Sequence, residues 1–248
     1  AYLMEEAQGS FKERAVAAIK KIPEAFKTWM EGIWEKLKKF FTDIKESKLI
    51  ANIKAAIKKN PKVANATVEV EDTEEYEKKL DKIADKIKSK MTKIRGKKTA
   101  TESDLNELEA YAEEAKKLEP KKIRISISSL LAKFEKRSGE AKKVTDGAVA
   151  AVSEGEKLVE GIDNPEAVQA ITTAEHKIAF IEKLKVNKFT HFLTDTAQKF
   201  KKVKENPDAT EGEATAESTV ELDDILKDVF TEAEEDTEDK KACCDEIK

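Results

Sequence analysis

The chain has 248 residues, 40% of them charged, with 8 glycines and 5 prolines. An average soluble domain has about 25% charged residues, and a Glu-, Lys- and Ala-rich sequence with few breakers favours helices. The longest apolar runs are far shorter than the ~20 residues needed to span a bilayer, which argues against a membrane-spanning protein. The opening residues AYLMEEAQG lack the order of a secretory signal, so we expect a soluble or peripheral protein.

The charge is distributed unevenly along the chain, although the net charge is only −4. Residues 205–248 carry 17 acidic and 4 basic side chains, which leaves residues 1–204 with a net charge of +9. A basic body with an acidic tail indicates an interaction tail, or a body that contacts polyanions.

The first part of the chain is predicted to be a short tail, residues 1–9, followed by a basic, aromatic helical segment, residues 10–60. Ser10 and Glu13 have the spacing of a capping box. Apolar residues then recur every three or four positions, which is typical of one helix face. Pro23 interrupts this pattern and should kink the helix or begin a second one.

The middle of the chain, residues 61–204, is predicted to be a helical body with a possible small ribbon. Residues 66–71 alternate β-branched and acidic side chains, which indicates a strand, and residues 122–128 alternate again. The helical hairpin between them would place the two strands antiparallel, although the second segment also fits a helix face. Asp72 is the predicted cap of the hairpin's first helix, which should end at Gly96, and Thr101 or Ser103 begins the second.

A helix from Ser129 to Ile162 and a second one from Pro165 to about Lys204 complete the predicted body. In the first of these, three small residues have the spacing of one helix face, where they would let another helix approach closely. They are Gly147, Ala151 and Gly155. Residues 205–248 are predicted to be an acidic tail with one short helix at about 219–233.

The sequence contains no recognisable catalytic or metal-binding pattern. His176 and His191 lie 15 positions apart on one predicted helix, and the adjacent Cys243 and Cys244 lack the spaced partners of a zinc site. The Gly96–Thr99 segment lacks the first glycine and the strand of a phosphate-binding loop. We therefore expect a protein that is not an enzyme and has no cofactor, metal or small-molecule substrate.

Aromatic residues are concentrated in the segment Thr28–Phe41, which reads TWMEGIWEKLKKFF and holds both tryptophans. A stripe of large apolar residues at this spacing packs against a core or a partner; alternatively, with the lysines, it lies in a membrane surface. The basic body also allows contact with DNA that does not depend on sequence. The predicted interaction stripe consists of Phe26, Trp29, Met30, Ile33, Trp34, Leu37, Phe40 and Phe41.

The chain begins with AYLMEEAQGSF, continues with the Lys-rich aromatic helix IPEAFKTWMEGIWEKLKKFFTDIK and then has a long charged helical body. This order of segments resembles that of internal head and virion structural proteins of large tailed bacteriophages. The resemblance covers roughly residues 1–46. It implies a structural role in a virion assembled in the host cytoplasm, with other virion proteins, copies of the same chain or packaged DNA as partners. In such proteins a protease often removes a propeptide by cutting after Glu, and Ala1 is consistent with that processing or with loss of an initiator Met.

We therefore predict an all-α, elongated multi-helix bundle with a possible two-stranded ribbon, acting as a structural or assembly protein of a phage virion. The alternative is a cytoplasmic, peripheral membrane-binding protein that uses its amphipathic helix.

Overall fold

The computed structural model describes residues 2–153 and 155–205, with side chains from residue 13 to 203 apart from residues 154 and 156. Of the residues that can be interpreted, 84% are helical, and a two-stranded antiparallel sheet completes the fold, so the predicted fold class is confirmed. The helices are α1 (Tyr2–Glu46), α2 (Leu49–Lys59), α3 (Pro61–Asn65), α4 (Thr73–Lys97), α5 (Glu102–Lys116), α6 (Ile127–Val152), α7 (Gly155–Val159) and α8 (Pro165–Glu205), and the strands are β1 (Thr67–Glu71) and β2 (Lys122–Ser126).

Helix α1 is longer than the sequence pattern indicates. It begins at Tyr2, so the predicted tail at residues 1–9 and the predicted cap at Ser10 are wrong. Residues 3–8 are Leu, Met, Glu, Glu, Ala and Gln, all strong helix formers, and their propensity outweighs the capping signal. The helix also continues through Pro23, so no second helix begins there. Because proline lacks an N–H, α1 loses the backbone hydrogen bond to the carbonyl of Ile19.

Helix α8 is the element around which the other helices pack. α1, α2, α4, α5, α6 and α7 all contact it, and most of its inward-facing side chains are fully buried. Residues 10–60 are therefore not a part separate from the body: the chain forms one compact unit over Ala1–Asp208. The predicted acidic tail, with its helix at 219–233, lies outside the described residues.

The predicted ribbon is present, with β1 antiparallel to β2. Thr67 pairs with Ser126 and Glu71 pairs with Lys122, so acidic side chains of β1 lie opposite basic side chains of β2. The apolar face of the ribbon includes the buried Val70. Lys188 of α8 lies 3.2 Å from the Glu71 carboxylate, which ties the ribbon to the central helix. A two-stranded ribbon needs such support because it is marginally stable alone.

The start of α4 follows the predicted cap: Asp72 accepts a hydrogen bond from the backbone N–H of Glu75. At the start of α8, Asn164 accepts one from the backbone N–H of Ala167, a cap that was not predicted. The ends follow the sequence less closely: α4 ends at Lys97, and Lys98 rather than Gly96 takes the left-handed conformation. The predicted helix over 129–162 is also divided, because α6 ends at Val152 and α7 begins at Gly155.

The start of α5 provides a pH-dependent test of the capping interaction. Thr101 and Asp104 form a reciprocal capping box, and the Lys90 ammonium lies 2.6 Å from the Asp104 carboxylate. The hydrogen bond from Lys90 and then that from the Thr101 backbone lower the pKa of Asp104 to about 2 from 3.8. A carboxyl with a depressed folded-state pKa stabilises the fold above the unfolded pKa, and this contribution is lost as the pH falls through the folded pKa.

We expect Asp104→Asn to lower the free energy of unfolding by about 1 kcal/mol at neutral pH. The difference from the wild type should shrink as the pH falls from 3.8 towards about 2. Urea unfolding at several pH values measures it. Glu102→Gln, an exposed change in the same helical turn, serves as the control and should cost less. An Asp104→Asn effect that stays constant with pH would contradict the account.

Candidate functional site

The predicted interaction stripe of α1 lies in the protein's own core. Phe26, Met30, Ile33 and Leu37 are each at most 3% exposed. They face α8 and α6, the helices against which α1 packs. The remaining stripe residues are half-buried at the edges of this contact: Trp29, Trp34, Phe40 and Phe41.

The two tryptophans at the edge of the stripe are covered by lysine side chains from neighbouring helices. The Lys183 ammonium of α8 lies 5.3 Å from the centre of a Trp29 ring, and the Lys142 ammonium of α6 lies 5.2 Å from that of Trp34. A cation at this distance over an indole face is attracted by the ring electrons. The tryptophans therefore cover the edge of the core, and they do not form an open aromatic surface.

The burial of the stripe bears on the membrane alternative. An interfacial helix inserts its apolar face into the lipid boundary, and in this fold that face of α1 is occupied by α8 and α6. Separately, no helix among the described residues has the length and apolar content needed to cross a bilayer.

A groove of about 610 Å³ lies between α4 and α6, over α8. Its walls carry lysines, small residues and a set of carboxylates. The carboxylates are those of Glu77, Asp81, Asp85, Glu140 and Glu182.

The buried charges at the groove are matched to one another across helices. Arg137 of α6 is 4% exposed, forms an ion pair with Glu77 of α4, and stacks its guanidinium 4.7 Å from the centre of the Phe189 ring on α8. Lys185 of α8 lies 2.6 Å from the Asp81 carboxylate of α4 and 3.0 Å from that of Glu182. These cations therefore link the three helices that form the groove.

Two carboxylates of the groove, those of Glu77 and Glu182, are held in poorly solvated surroundings. Burial raises the pKa of Glu77, and the attraction of Arg137 opposes the shift. Burial likewise raises the pKa of Glu182 against the attraction of Lys185. Perturbed carboxyls in a groove are a common feature of active sites, and they also occur in structural ion-pair networks. Here each has a cation from the same chain as its partner, the buried Arg137 for Glu77 and the half-buried Lys185 for Glu182, which favours the structural interpretation.

This network was not predicted, although the sequence contains a signal for it. The buried positions of α6 follow a helical stripe, and Arg137 occupies a stripe position between Phe134 and Ala141. Glu182 similarly falls between the buried Ile178 and Phe189 of α8. A charged residue at a stripe position indicates a buried partner, because an unpaired buried charge is too costly to keep.

The three small residues predicted to let a helix approach do not share one helix face. Gly147 is exposed on α6, and a Cβ added to it would meet no atom within 4 Å, so the close packing predicted there is wrong. Gly147 and Ala151 instead line the groove. Gly155, on α7, is buried directly against the Glu175 side chain of α8, where a Cβ would overlap it. The break after Val152 separates Gly155 from the other two.

The two glycines should respond to alanine in opposite directions. We expect Gly155→Ala to lower the free energy of unfolding by about 1–3 kcal/mol, because the new methyl group displaces the buried Glu175 side chain. Gly147→Ala should raise it by about 0.5–1 kcal/mol, because alanine has the higher helix propensity and the position is open. Urea unfolding of both variants measures this. Equal effects would contradict the different surroundings of the two residues.

A lysine-rich surface covers the end of α1 together with α2 and α3. Residues 36–62 contain nine lysines and two acidic residues, a net charge of +7. All nine lysines are exposed except Lys36, which is half-exposed. We call this set the lysine surface: Lys36, Lys38, Lys39, Lys45, Lys48, Lys54, Lys58, Lys59 and Lys62.

The histidines of the chain lie on α8. His176 is exposed, and the Nδ1 atom of His191 lies 3.8 Å from the Glu71 carboxylate. Among the described residues, no group of three or more His, Cys, Asp or Glu side chains is arranged to hold a metal ion. Cys243 and Cys244 lie outside the described residues.

Neither a family model, nor a curated protein, nor a solved structure matches the chain.

Proposed function

We propose that this chain is a non-enzymatic structural protein that works by assembly, as a component of a tailed bacteriophage virion. The proposal rests on the way in which charged side chains are paired with one another between helices. At the groove, Arg137 and Lys185 bind the carboxylates of neighbouring helices. A ligand site would leave convergent polar groups to meet its ligand. Charged groups that are already paired between helices instead fix the positions of those helices relative to one another.

Ion pairs between helices extend beyond the groove. Lys177 of α8 lies 2.5 Å from the Glu109 carboxylate of α5, and Lys54 of α2 lies 2.6 Å from that of Glu135 on α6. Such partly exposed pairs contribute little stability individually, and they restrict how the helices can shift. A rigid charged bundle suits a protein that is present in many copies and meets its neighbours through its outer surface.

Partners in this proposal are other virion proteins or copies of the same chain, bound through the outer surface. The predicted stripe is already buried against α8 and α6, so assembly does not depend on it. The same burial makes the membrane alternative the weaker one, since lipid binding through α1 would require the bundle to open. The virion setting rests on the resemblance of residues 1–46 to internal head proteins.

Quantitative mass spectrometry of purified virus particles tests the proposal. Particles from cultures expressing the gene would be banded by density and treated with protease to remove adhering protein. We expect the chain to be present in many copies per particle. A chain that is abundant in the lysate and absent from the treated particles would refute a virion role. An abundant host protein, followed through the same steps, is the control for carry-over.

A further inference from the structure

The lysine surface has no assigned partner in the fold. We propose that it binds the phosphate backbone of double-stranded nucleic acid without reading base sequence. A contact of this kind needs several cations on one stretch of surface that are not already neutralised by carboxylates.

Most lysines of this surface are not neutralised by the protein itself. Lys38 and Lys54 form ion pairs with Glu35 and Glu135. Within the part of the chain that the structure describes, no ion pair is made by the other seven: Lys36, Lys39, Lys45, Lys48, Lys58, Lys59 and Lys62. Seven like charges in 27 consecutive residues repel one another, and a polyanion relieves that repulsion.

The start of α2 adds to this positive charge. Its first turn contains no acidic residue, and Lys48 occupies the capping position without a side-chain hydrogen bond. The amino end of a helix carries a partial positive charge that acidic side chains usually offset. At α2 a lysine takes that place, so a bound anion would be attracted by both charges.

Burial of the apolar residues favours a phosphate backbone over a lipid surface. Leu37, Leu49, Ile53 and Val63 are each at most 3% exposed. The other large apolar side chains of the segment are half-buried, whereas all of its lysines except Lys36 are exposed. The half-buried residues are Phe40, Phe41, Ile44, Ile50 and Ile57. Stable interfacial binding to lipid needs apolar side chains that enter the acyl boundary. A nucleic-acid backbone needs only the cations.

The composition of the surface favours duplex over single-stranded nucleic acid. Proteins that bind single strands stack the bases on exposed aromatic rings. Phe40 and Phe41 are half-buried and contact each other with ring centres 5.6 Å apart, and no residue of the segment is an exposed aromatic. Lysine without arginine also indicates contact with phosphates as point charges, because bidentate base recognition is mainly made by arginine.

Fluorescence anisotropy of the full chain with a labelled DNA duplex of arbitrary sequence tests the proposal. We expect binding that weakens steeply from about 50 to 200 mM salt, with a slope of log affinity against log salt of about −5. A second arbitrary sequence should bind equally. A duplex RNA of the same length separates general backbone binding from a preference for DNA, and equal binding is expected.

A charge-reversal variant and a matched control locate the binding surface. Lys58→Glu with Lys59→Glu and Lys62→Glu should reduce affinity at the low-salt end by about 30-fold or more and bring the slope about 3 closer to zero. The control reverses three exposed lysines of α4, Lys78, Lys82 and Lys93, and changes the net charge by the same amount. The affinity of this control variant should fall by less than about 3-fold, because salt screens exposed charges that lie away from the bound duplex. Circular dichroism would verify that both variants fold.

The outcomes separate this surface from the alternatives. Equal losses in the two variants would overturn the proposal, because binding would then follow net charge and not these lysines. A wild type that binds anionic phospholipid vesicles but no duplex would overturn it in favour of a lipid surface. Since the assay uses purified protein, its failure would leave the particle test of virion assembly unaffected.

Discussion

Replacement of Arg137 by Met is expected to destabilise the fold by about 3–5 kcal/mol, because it leaves the mostly buried Glu77 carboxylate, whose side chain is 16% exposed, without its partner. The guanidinium is almost fully buried, and it also packs against the Phe189 ring. A loss of this size is a large part of the 5–15 kcal/mol that stabilises a typical domain. Urea unfolding followed by circular dichroism measures it.

Lys136 is the matched control, one position away on the same helix. Its ammonium lies 3.0 Å from the Glu74 carboxylate, but its side chain is 60% exposed. Lys136→Met should therefore cost less than about 1 kcal/mol. The double variant Glu77→Leu with Arg137→Met should recover most of the loss, because two apolar groups can replace a buried ion pair. If the double variant is no more stable than Arg137→Met alone, the unpaired carboxylate is not the cause.

Replacement of Phe26 by Ala is expected to destabilise the fold by about 3–5 kcal/mol, the range for loss of a buried aromatic ring. Phe26 is 3% exposed, and its ring lies 5.7 Å from that of Trp29. A membrane helix or a partner-binding stripe would tolerate the change, since its apolar face would be open in the isolated chain. The size of the effect therefore separates a core role from those alternatives.

Phe41 is the control for the stripe. It is half-buried at the edge of the α1 contact, so Phe41→Ala removes less buried area and should cost less than half as much as Phe26→Ala. Denaturant midpoints of both variants, with unchanged slopes, measure this. Similar small effects at both positions would indicate that α1 does not contribute a core face.

Local patterns in the sequence predicted much of the fold. The ribbon predicted at residues 66–71 and 122–128 is confirmed over 67–71 and 122–126, with residues 127 and 128 already in α6, and Asp72 and Thr101 cap helices as predicted. These features depend on short-range physics: side-chain periodicity sets the element, and a cap satisfies backbone groups within three residues. The same rules failed at Ser10, where strong helix formers on its amino-terminal side extend α1.

The candidate site was harder to predict because it depends on which helices meet. A single amphipathic stripe can face a core, a partner or lipid, and only the packing of α1 against α8 and α6 distinguishes these. The spacing of Gly147 and Gly155 predicts one helix face only if the helix is continuous, and it breaks after Val152. Arg137 at a stripe position shows that a buried partner exists, but the sequence does not say that this partner is Glu77.

In this structure α1 is a core helix, and we propose that the outside of its last turns, with α2 and α3, is a binding surface. Amide hydrogen exchange of the full chain, alone, with duplex DNA and with anionic vesicles, tests it most directly. We predict that residues 19–37 are strongly protected under all three conditions, because their stripe is buried. Residues 39–62 should gain protection only with duplex DNA. Fast exchange of residues 19–37 in the free chain, with protection that appears only on vesicles, would show that α1 is a membrane-binding helix and not a core helix.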